Sequence, residues 1–526
     1  MFKRTSSGKS VRKVRVREGG TGILYLNGSP VQERFIPNYD LENTRELLQA
    51  FQELKDSRGV SLKDNYWCQG DNWFPSMVSY LYWHAFFPYV KYKPLVDAFI
   101  DGHVEFEFDN HGAFYHLLML VTGKRDSNAI KTAIFRSLVR LNNALAAVRS
   151  NANLMFFRFE LNDFRSVEIR RTLDELGGNY LEVVPPGRIV NLLGYLVRRR
   201  PYYYYGGVSA GNCFNRRYDF TGLDRCLATL FARVVENLEF TVSGYVKETR
   251  KHSRRLKRTN IKTLYGFDDS NGYIFPLLYA CHRRNIKTVG HQHGAYVRRH
   301  AGYVMEGIAK EDFRWFDQII VWGRYWKDHL MKISSVYEPS TLLVGANRNT
   351  LNYSNDGERS YSRQRGVLIP YEFTTNTYKV GRYIERLIEL GYRVYFKPRS
   401  DEALEDQLEA YCLAPEVRQR LAIVEKIDAR VMRDIDVVAG TMTTLVYELL
   451  PFRKATWIFD VEYKHLEDLV EQGLAYKVRY EDLATLDQRY FTAAEIDVDY
   501  MFDPESLHET LAKHVLTYEN GRERHL

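Results

Sequence analysis

The chain has 526 residues, which corresponds to about two to four domains of ordinary size. Its 45% hydrophobic and 27% charged residues exclude a disordered or collagen-like protein. The net charge is +8, but residues 1–17 hold seven Lys and Arg and no acid, so 8 − 7 = +1 remains for residues 18–526. Because the main part of the chain is nearly neutral, binding of long nucleic acids is not expected.

Cysteine content and hydropathy indicate a reducing, cytoplasmic environment. The five cysteines are Cys68, Cys213, Cys226, Cys281 and Cys412. They form no C-x-x-C pair, which predicts neither a disulfide framework nor a structural zinc site. No apolar stretch follows the basic N-terminus, so no secretory signal is predicted. Residues 72–90 lack charges but contain two prolines, which favours a buried or interface-lying aromatic segment over a membrane-spanning helix.

The N-terminal part of the chain gives few patterns. Residues 1–22 are rich in Ser, Gly, Lys and Arg and are predicted to be a mobile basic tail. Residues 23–150 combine aromatic segments with a helical pattern over about 127–148. No known fold follows from these patterns, and we treat 23–150 as an N-terminal extension of mixed structure.

From residue 151 onward, short apolar runs alternate with helical patterns, which predicts parallel sheets. In the first domain, 151–349, strands are predicted at 154–159, 180–184, 263–267, 288–290, 318–322 and 341–344. A polar, turn-rich linker is predicted at 350–364. In the second domain, 365–526, strands are predicted at 366–370, 392–396, 437–439 and 455–459. The predicted fold class is therefore α/β, with two Rossmann-like domains facing each other across a cleft, where ligands bind at the carboxyl ends of the strands.

The end of one second-domain strand is the most informative segment. The strand runs into Gly440, and a helix then begins with Thr441, Thr443 and Thr444. Free backbone N–H groups and hydroxyls at such a helix start can hold a phosphate. Glu448 lies one turn further on, where its carboxylate can accept a hydrogen bond from a ribose. The alternative is an ordinary Thr-capped turn with a solvated Glu448.

Two cations follow an earlier strand of the same domain. Lys397 and Arg399 lie just beyond the strand end, and Pro398 restricts the turn between them. At the cleft, these cations could neutralise a nucleotide phosphate. Exposed loop cations are the ordinary alternative, but their place one β/α unit before the Thr-rich turn favours the phosphate role.

The first domain offers candidates for acid–base chemistry. His291 and His293 leave a predicted strand on alternate positions, and Gly294 allows a close backbone approach. His293 can act as a general base near neutral pH, whereas a metal site would need a further ligand. A structural role is the alternative. Asp268 and Asp269 follow the preceding strand, where helix capping is favoured and a catalytic base is the alternative.

Two basic clusters are candidates for contact with an anionic membrane surface. Three arginines at 198–200 precede the tyrosines at 202–205, and residues 250–258 hold six Lys and Arg. Arginines and tyrosines next to a helix with an apolar face suit anionic headgroups. A solvated helix face is an equally good interpretation. We therefore expect a cytoplasmic protein, and both peripheral contact to the inner membrane face and a solvated basic face stay open.

These motifs together resemble GT-B glycosyltransferases, above all those of bacterial surface-polysaccharide and capsule biosynthesis. The resemblance covers residues 150–470 and rests on the His-Gly turn at 293–294, the Lys-Pro pair at 397–398 and the arrangement G-x-x-T-T…E at 440–448. It implies an acceptor-binding first domain and a second domain that binds a nucleotide-sugar. Relatives that use CMP-linked keto-acid sugars or CDP-alditols carry His-Pro near 398–399, so the Pro-Arg of this chain argues against both donors.

The resemblance also implies roles for the residues above. Lys397 and Arg399 would hold the diphosphate, the turn at 440–444 would cradle phosphate, and Glu448 would hold the ribose. His293, Asp268 or Asp269 would be the base in displacement at the anomeric carbon, without metal or cofactor. We thus expect transfer of a sugar to a growing surface glycan or lipid-linked acceptor. The alternatives are a CDP-alditol phosphotransferase or nucleotide-sugar epimerase on the same fold, and a non-catalytic binding or assembly protein.

Overall fold

A computed structural model shows how most of the chain is arranged. It describes residues 11–18, 24–30, 41–123, 129–158, 166–185, 202–204, 213–214, 216–267, 274–347, 364–372, 375–399, 403–461 and 465–517. The predicted linker lies outside this part of the chain except for Gln364, and so do Asp268, Asp269 and the arginines at 198–200.

The N-terminal extension is a small mixed sheet covered by helices. Its strands in chain order are β1 (Arg12–Glu18), β2 (Leu24–Leu26), β3 (Ser29–Pro30), the hairpin β4 (Trp67–Cys68) and β5 (Asp71–Asn72), and β6 (Val104–Phe108). The sheet has the order β3-β2-β1-β6, with β1 parallel to β6. The mobile tail predicted for residues 1–22 is therefore wrong for 12–18, because alternate valines of this basic segment, Val14 and Val16, are buried against the extension.

Helices form the rest of the extension. They are Leu41–Gln52, Phe87–Ile100, Ala113–Thr122 and Ala129–Arg149, with shorter helical turns over 75–86. The uncharged segment 72–90 belongs to the core, since Trp73, Phe74, Tyr82 and Phe86 are fully buried. In the described part of the chain, no helix has the length and apolar character needed to cross a bilayer.

The first α/β domain contains a seven-stranded, wholly parallel sheet. Its strands are β7 (Leu154–Phe157), β8 (Tyr180–Val184), β9 (Tyr203–Tyr204), β10 (Thr263–Phe267), β11 (Lys287–His291), β12 (Gln318–Val321) and β13 (Leu342–Val344). The order is β13-β12-β11-β10-β7-β8-β9, so the chain changes direction across the sheet between β7 and β10. Its helices include Val167–Glu175, Arg225–Leu256, Phe275–His282, Ala301–Val304 and Arg324–Ile333.

The second α/β domain has a parallel sheet of six strands. They are β14 (Gly366–Pro370), β15 (Arg393–Lys397), β16 (Ala422–Ile423), β17 (Val437–Gly440), β18 (Ala455–Phe459) and β19 (Tyr476–Val478). Their order, β16-β15-β14-β17-β18-β19, places the switch point between β14 and β17. The helices include Thr377–Glu389, Leu404–Ala410, Pro415–Gln419, Ala429–Arg433, Leu445–Leu449 and Glu467–Glu471.

The predicted fold class is confirmed, but the end of the chain departs from the predicted domain division. The helices Val498–Met501 and Leu507–His514 pack on the first domain, not on the second. The hydroxyl of Thr510 accepts a hydrogen bond of 2.9 Å from the backbone N–H of Ala346, just beyond β13. The last described residues therefore return to the first domain and tie the two domains together.

Two deeply buried histidines predict acid sensitivity. Burial lowers the pKa of His252 to about 4 and that of His465 to about 4. In the unfolded chain both would titrate near 6.5, so below that pH the unfolded state binds protons that the folded state excludes. Between pH 6.5 and about 4 we expect the free energy of unfolding to fall by about 1.4 kcal/mol per pH unit for each histidine. Urea denaturation at pH 7 and pH 5.5 measures this, and H252Q should remove its share of the slope.

Candidate functional site

The His-Gly loop of the first domain touches the Thr-rich helix start of the second. The backbone N–H of Ala295, in the loop after β11, donates to the hydroxyl of Thr444 over 3.1 Å. A Cβ on Gly294 would lie 3.3 Å from the same hydroxyl oxygen, so glycine permits this approach. Two motifs that were predicted separately thus meet where the carboxyl ends of the two sheets face each other.

A buried glutamine holds the His-Gly loop in place. The Gln292 side-chain amide donates to the Gly294 carbonyl over 2.9 Å, and its oxygen accepts from the Trp322 backbone over 3.0 Å. His293 itself is half-buried, and the Tyr303 hydroxyl lies 3.1 Å from its Nδ1 and 3.4 Å from its Nε2. His293 therefore belongs to the fixed loop that makes the interdomain contact, and its imidazole lies next to Tyr303 of the first domain.

His291 does not share this position. It is fully buried, with its Nδ1 2.8 Å from the Tyr265 hydroxyl and its Nε2 2.9 Å from the Ala346 carbonyl oxygen. Both ring nitrogens are engaged within the first domain. The structural alternative considered for the histidine pair therefore holds for His291. Among the residues that the structure describes, no group of three His, Cys, Asp or Glu side chains is arranged to hold a metal ion.

The carboxylate of Glu372, which was not among the predicted site residues, lies inside the Thr-rich turn. Glu372 lies two residues beyond β14 and is 2% exposed. Its carboxylate accepts from the backbone N–H groups of Thr441, Met442 and Thr443 at 2.9, 2.7 and 2.8 Å. It also accepts from the Thr441 hydroxyl, which lies 2.7 Å from that of Thr375. Burial raises the pKa of Glu372, and the donors oppose that rise.

Glu372 changes what the turn can bind. Three consecutive N–H groups that we expected to cradle phosphate already hold an internal anion, and Thr441 is 1% exposed. Gly440 lines the same pocket, since a Cβ there would lie 3.0 Å from the carboxylate. With Glu372 in place, the N–H groups of residues 441–443 are engaged, and the turn offers an incoming phosphate the hydroxyls of Thr443 and Thr444. Both of these side chains are partly exposed.

Glu448 is less accessible than its predicted role requires. It lies in the short helix Leu445–Leu449 and is 5% exposed. A ribose could reach the carboxylate only if the surrounding side chains moved. Glu448 lies one turn beyond Thr444, as predicted. Because it is buried, it is in the environment of an interior residue and not of a ligand-binding one.

The two cations lie at the same edge of the second sheet as the Thr-rich turn. Lys397 ends β15 and pairs in register with Pro370 at the end of β14, which neighbours β17 on its other side. Two strand spacings separate Lys397 from Gly440, about 10 Å. The Lys397 ammonium donates to the Pro398 carbonyl over 2.6 Å, and burial lowers its pKa while Glu425 opposes that shift.

Arg399 is held through its backbone. Its N–H donates to the Gln407 side-chain oxygen over 2.9 Å, and the Gln407 amide donates back to its carbonyl over 2.9 Å. Gln407 is fully buried, so this pair fixes the loop that carries both cations. A fixed loop with two cations at a sheet edge is suited to hold an anionic ligand in one orientation.

Ion pairs lock the two domains next to the His-Gly loop. The Arg298 backbone N–H and guanidinium both donate to the carboxylate of Asp468, at 2.9 and 3.0 Å, and Asp468 is 3% exposed. Arg299 contacts Glu467 at 2.6 Å and Glu42 of the N-terminal extension at 3.1 Å. The extension, the first domain and the second domain therefore converge on one short segment directly after the candidate base.

Comparisons with known proteins find likeness only to solved structures, and only at low identity. No protein-family model and no curated sequence matches the chain. Solved structures that resemble it include MurG from Acinetobacter baumannii, at 13% identity and a TM-score of 0.40 over 64% of this chain and 88% of that one. A UDP-GlcNAc 2-epimerase from Methanocaldococcus jannaschii has 10% identity and a TM-score of 0.41 over 69% and 99%. The lipopolysaccharide outer core galactosyltransferase WaaB has 10% identity and a TM-score of 0.38 over 69% of this chain and 99% of that one. All three TM-scores lie below 0.5, so nothing about the activity of this chain follows from these likenesses.

Proposed function

We propose that the protein is a GT-B-type glycosyltransferase of surface-polysaccharide biosynthesis, which moves a sugar from a nucleotide-sugar to a growing glycan or lipid-linked acceptor. The observation that carries the proposal is the contact between Ala295 and Thr444. It brings a half-buried histidine from one parallel sheet next to a hydroxyl-rich turn of the other, with two cations along the same edge. Such an arrangement supports reaction between an acceptor on one domain and a donor on the other.

In this proposal, His293 removes the proton from the acceptor hydroxyl as its oxygen attacks the anomeric carbon. The bond between that carbon and the donor phosphate oxygen breaks, and the nucleotide leaves. Lys397 and Arg399, with the hydroxyls of Thr443 and Thr444, stabilise the negative charge that grows on the leaving phosphate. Glu372 fixes the conformation of the turn. Because it occupies the backbone N–H groups there, Lys397 and Arg399 supply most of the positive charge that the donor phosphate meets.

A nucleotide-binding measurement on Lys397→Ala tests the donor half of the proposal. First, a thermal-shift screen with UDP-, GDP-, dTDP-, CMP- and CDP-linked compounds identifies the nucleotide, because a ligand that binds only the native state raises the Tm. We then expect K397A to weaken its Kd by about 10-fold or more by calorimetry, which corresponds to one lost charge-assisted contact. Lys426→Ala, an exposed lysine on the loop after β16, is the control and should bind normally.

Product analysis separates the rival activities. A transferase needs the acceptor and releases the nucleotide of its donor, whereas an epimerase converts the donor with no acceptor present. A CDP-alditol phosphotransferase would release CMP. Normal nucleotide affinity in K397A would remove this lysine from the site, and no nucleotide binding by the wild-type protein would contradict the proposed function.

A further inference from the structure

One face of the protein, far from the cleft, combines an exposed tryptophan with exposed cations. The hairpin β4–β5 carries Trp67, which is 51% exposed and is the only strongly exposed aromatic ring among the residues that the structure describes. Gln69 and Gly70 adopt positive φ values of 61° and 83°, which makes a tight turn two residues after Trp67.

The cations come from the end of the 32-residue helix Arg225–Leu256 and the turn that follows it. Arg250, Arg254, Lys257 and Arg258 are all exposed and follow helical spacing, so they form one stripe. None of the four has an acidic partner within the described part of the chain. A stripe of cations without counter-charges leaves a positive potential at the surface.

Side-chain contacts connect the hairpin to this stripe. The Arg283 guanidinium donates to the Gln69 side chain over 2.7 Å, and the next residue, Arg284, donates to the Ser253 carbonyl over 2.9 Å. Ser253 lies within the stripe. Burial raises the pKa of the Cys68 thiol, beside Trp67, and Arg250 is near enough to oppose that rise. Trp67 and the cations therefore form one continuous surface, which we call the Trp-Arg face.

We propose that the Trp-Arg face docks on a membrane surface with anionic headgroups. Its exposed ring prefers the boundary between water and acyl chains, and its cations are attracted to phosphate headgroups. A soluble polyanion without rings, such as polyphosphate, would use the cations but would give the tryptophan no partner, and the nearly neutral body argues against a long nucleic acid. The helix ends just before β10 begins and Arg284 just before β11 begins, so the face lies at the edge of the first sheet opposite the His-Gly loop. Docking there leaves the cleft open.

Two other segments in the described part of the chain were candidates for this surface. Residues 12–18 of the basic N-terminus are part of a sheet, and Tyr203 and Tyr204 form the buried strand β9. The membrane contact that the sequence suggested for those tyrosines is therefore wrong for this pair. Arg250, Arg254, Lys257 and Arg258 of the predicted basic cluster are exposed, and Trp67 in strand β4 adds the ring. The proposal concerns a surface remote from the cleft and does not depend on the proposed function.

Vesicle flotation with the full chain tests the Trp-Arg face. We expect binding to phosphatidylcholine vesicles that contain phosphatidylglycerol and little binding to phosphatidylcholine alone. R250Q/R254Q should lower the partition coefficient by about 25-fold, about 5-fold for each lost cation. W67A should lower it by about 10-fold, and binding should shift the tryptophan fluorescence of the wild type to shorter wavelength, with a smaller shift in W67A. Raised salt should release the protein.

A matched variant removes two exposed arginines elsewhere, R170Q/R430Q, and should bind as the wild type does. Equal losses in the two double variants, or equal binding to neutral vesicles, would overturn the proposal. So would failure to float together with binding to soluble polyphosphate, which would identify a soluble polyanion as the partner. The nucleotide thermal shift should be unchanged in all of these variants, so a negative flotation result leaves the proposed function to its own tests.

Discussion

Glu372→Ala is expected to destabilise the protein by about 3 kcal/mol or more, because three buried N–H groups lose their acceptor at about 1–3 kcal/mol each. The variant should also lose most of its nucleotide affinity, since the turn that presents Thr443 and Thr444 would no longer have a defined shape. Urea denaturation gives the first quantity and calorimetry, below the new Tm, gives the second. Glu372→Gln keeps one acceptor oxygen, so its stability and nucleotide affinity should lie between those of the wild type and of Glu372→Ala.

Glu18 offers a matched control for this experiment. It also ends a strand, is 7% exposed, and accepts a hydrogen bond of 3.1 Å from the backbone N–H of Phe114 at the start of a helix in the extension. E18A should therefore lose stability without losing nucleotide affinity. If E372A bound nucleotide as tightly as the wild type, the turn would not belong to the donor site. Tighter binding would show that Glu372 competes with phosphate for the N–H groups.

His293→Ala is expected to lower kcat by about 100-fold to 10,000-fold, the range of a general base, while the donor KM changes little. The reason is that His293 would act on the acceptor proton and not on the donor phosphate. Steady-state kinetics with the donor found in the nucleotide screen measures both constants. His508→Ala, an exposed histidine on the last described helix, is the control and should be fully active.

The result for His293 also assigns the base among the three predicted candidates. Asp268 and Asp269 lie outside the described residues, so their role stays a prediction. If H293A kept its kcat and D268N or D269N lost it, the base would be the aspartate and the rest of the transferase proposal would stand. If all three variants were fully active, the chemistry would lie elsewhere.

Strand positions followed closely from local patterns. Strands β8, β10, β14 and β18 begin and end at the predicted residues. Parallel strands that are buried on both faces appear as short apolar runs, and helices between them limit their length, so local sequence is sufficient to find them. The same reasoning located His293, Gly294, Lys397 and the threonines at strand ends.

One local signal was overridden by composition. The segment R-K-V-R-V-R-E at 12–18 alternates valine with charged residues, which is the pattern of a strand with one buried face. Its positive charge suggested a mobile tail instead. In the structure Val14 and Val16 are buried while the cations point outward.

The contacts that residues at the strand ends make could not be predicted from the sequence. Periodicity indicates which face of an element is buried, but not which other element covers that face. Glu372 directly follows a strand, as Lys397 does, but it lies 69 residues from Thr441, and the two meet because β14 and β17 are neighbours at the switch point. Ala295 and Thr444, 149 residues apart, meet because two sheets face each other. Residue type and strand-end position therefore identified the candidate groups, whereas strand order and domain packing determined that the Glu372 carboxylate accepts from the backbone N–H groups of the Thr-rich turn.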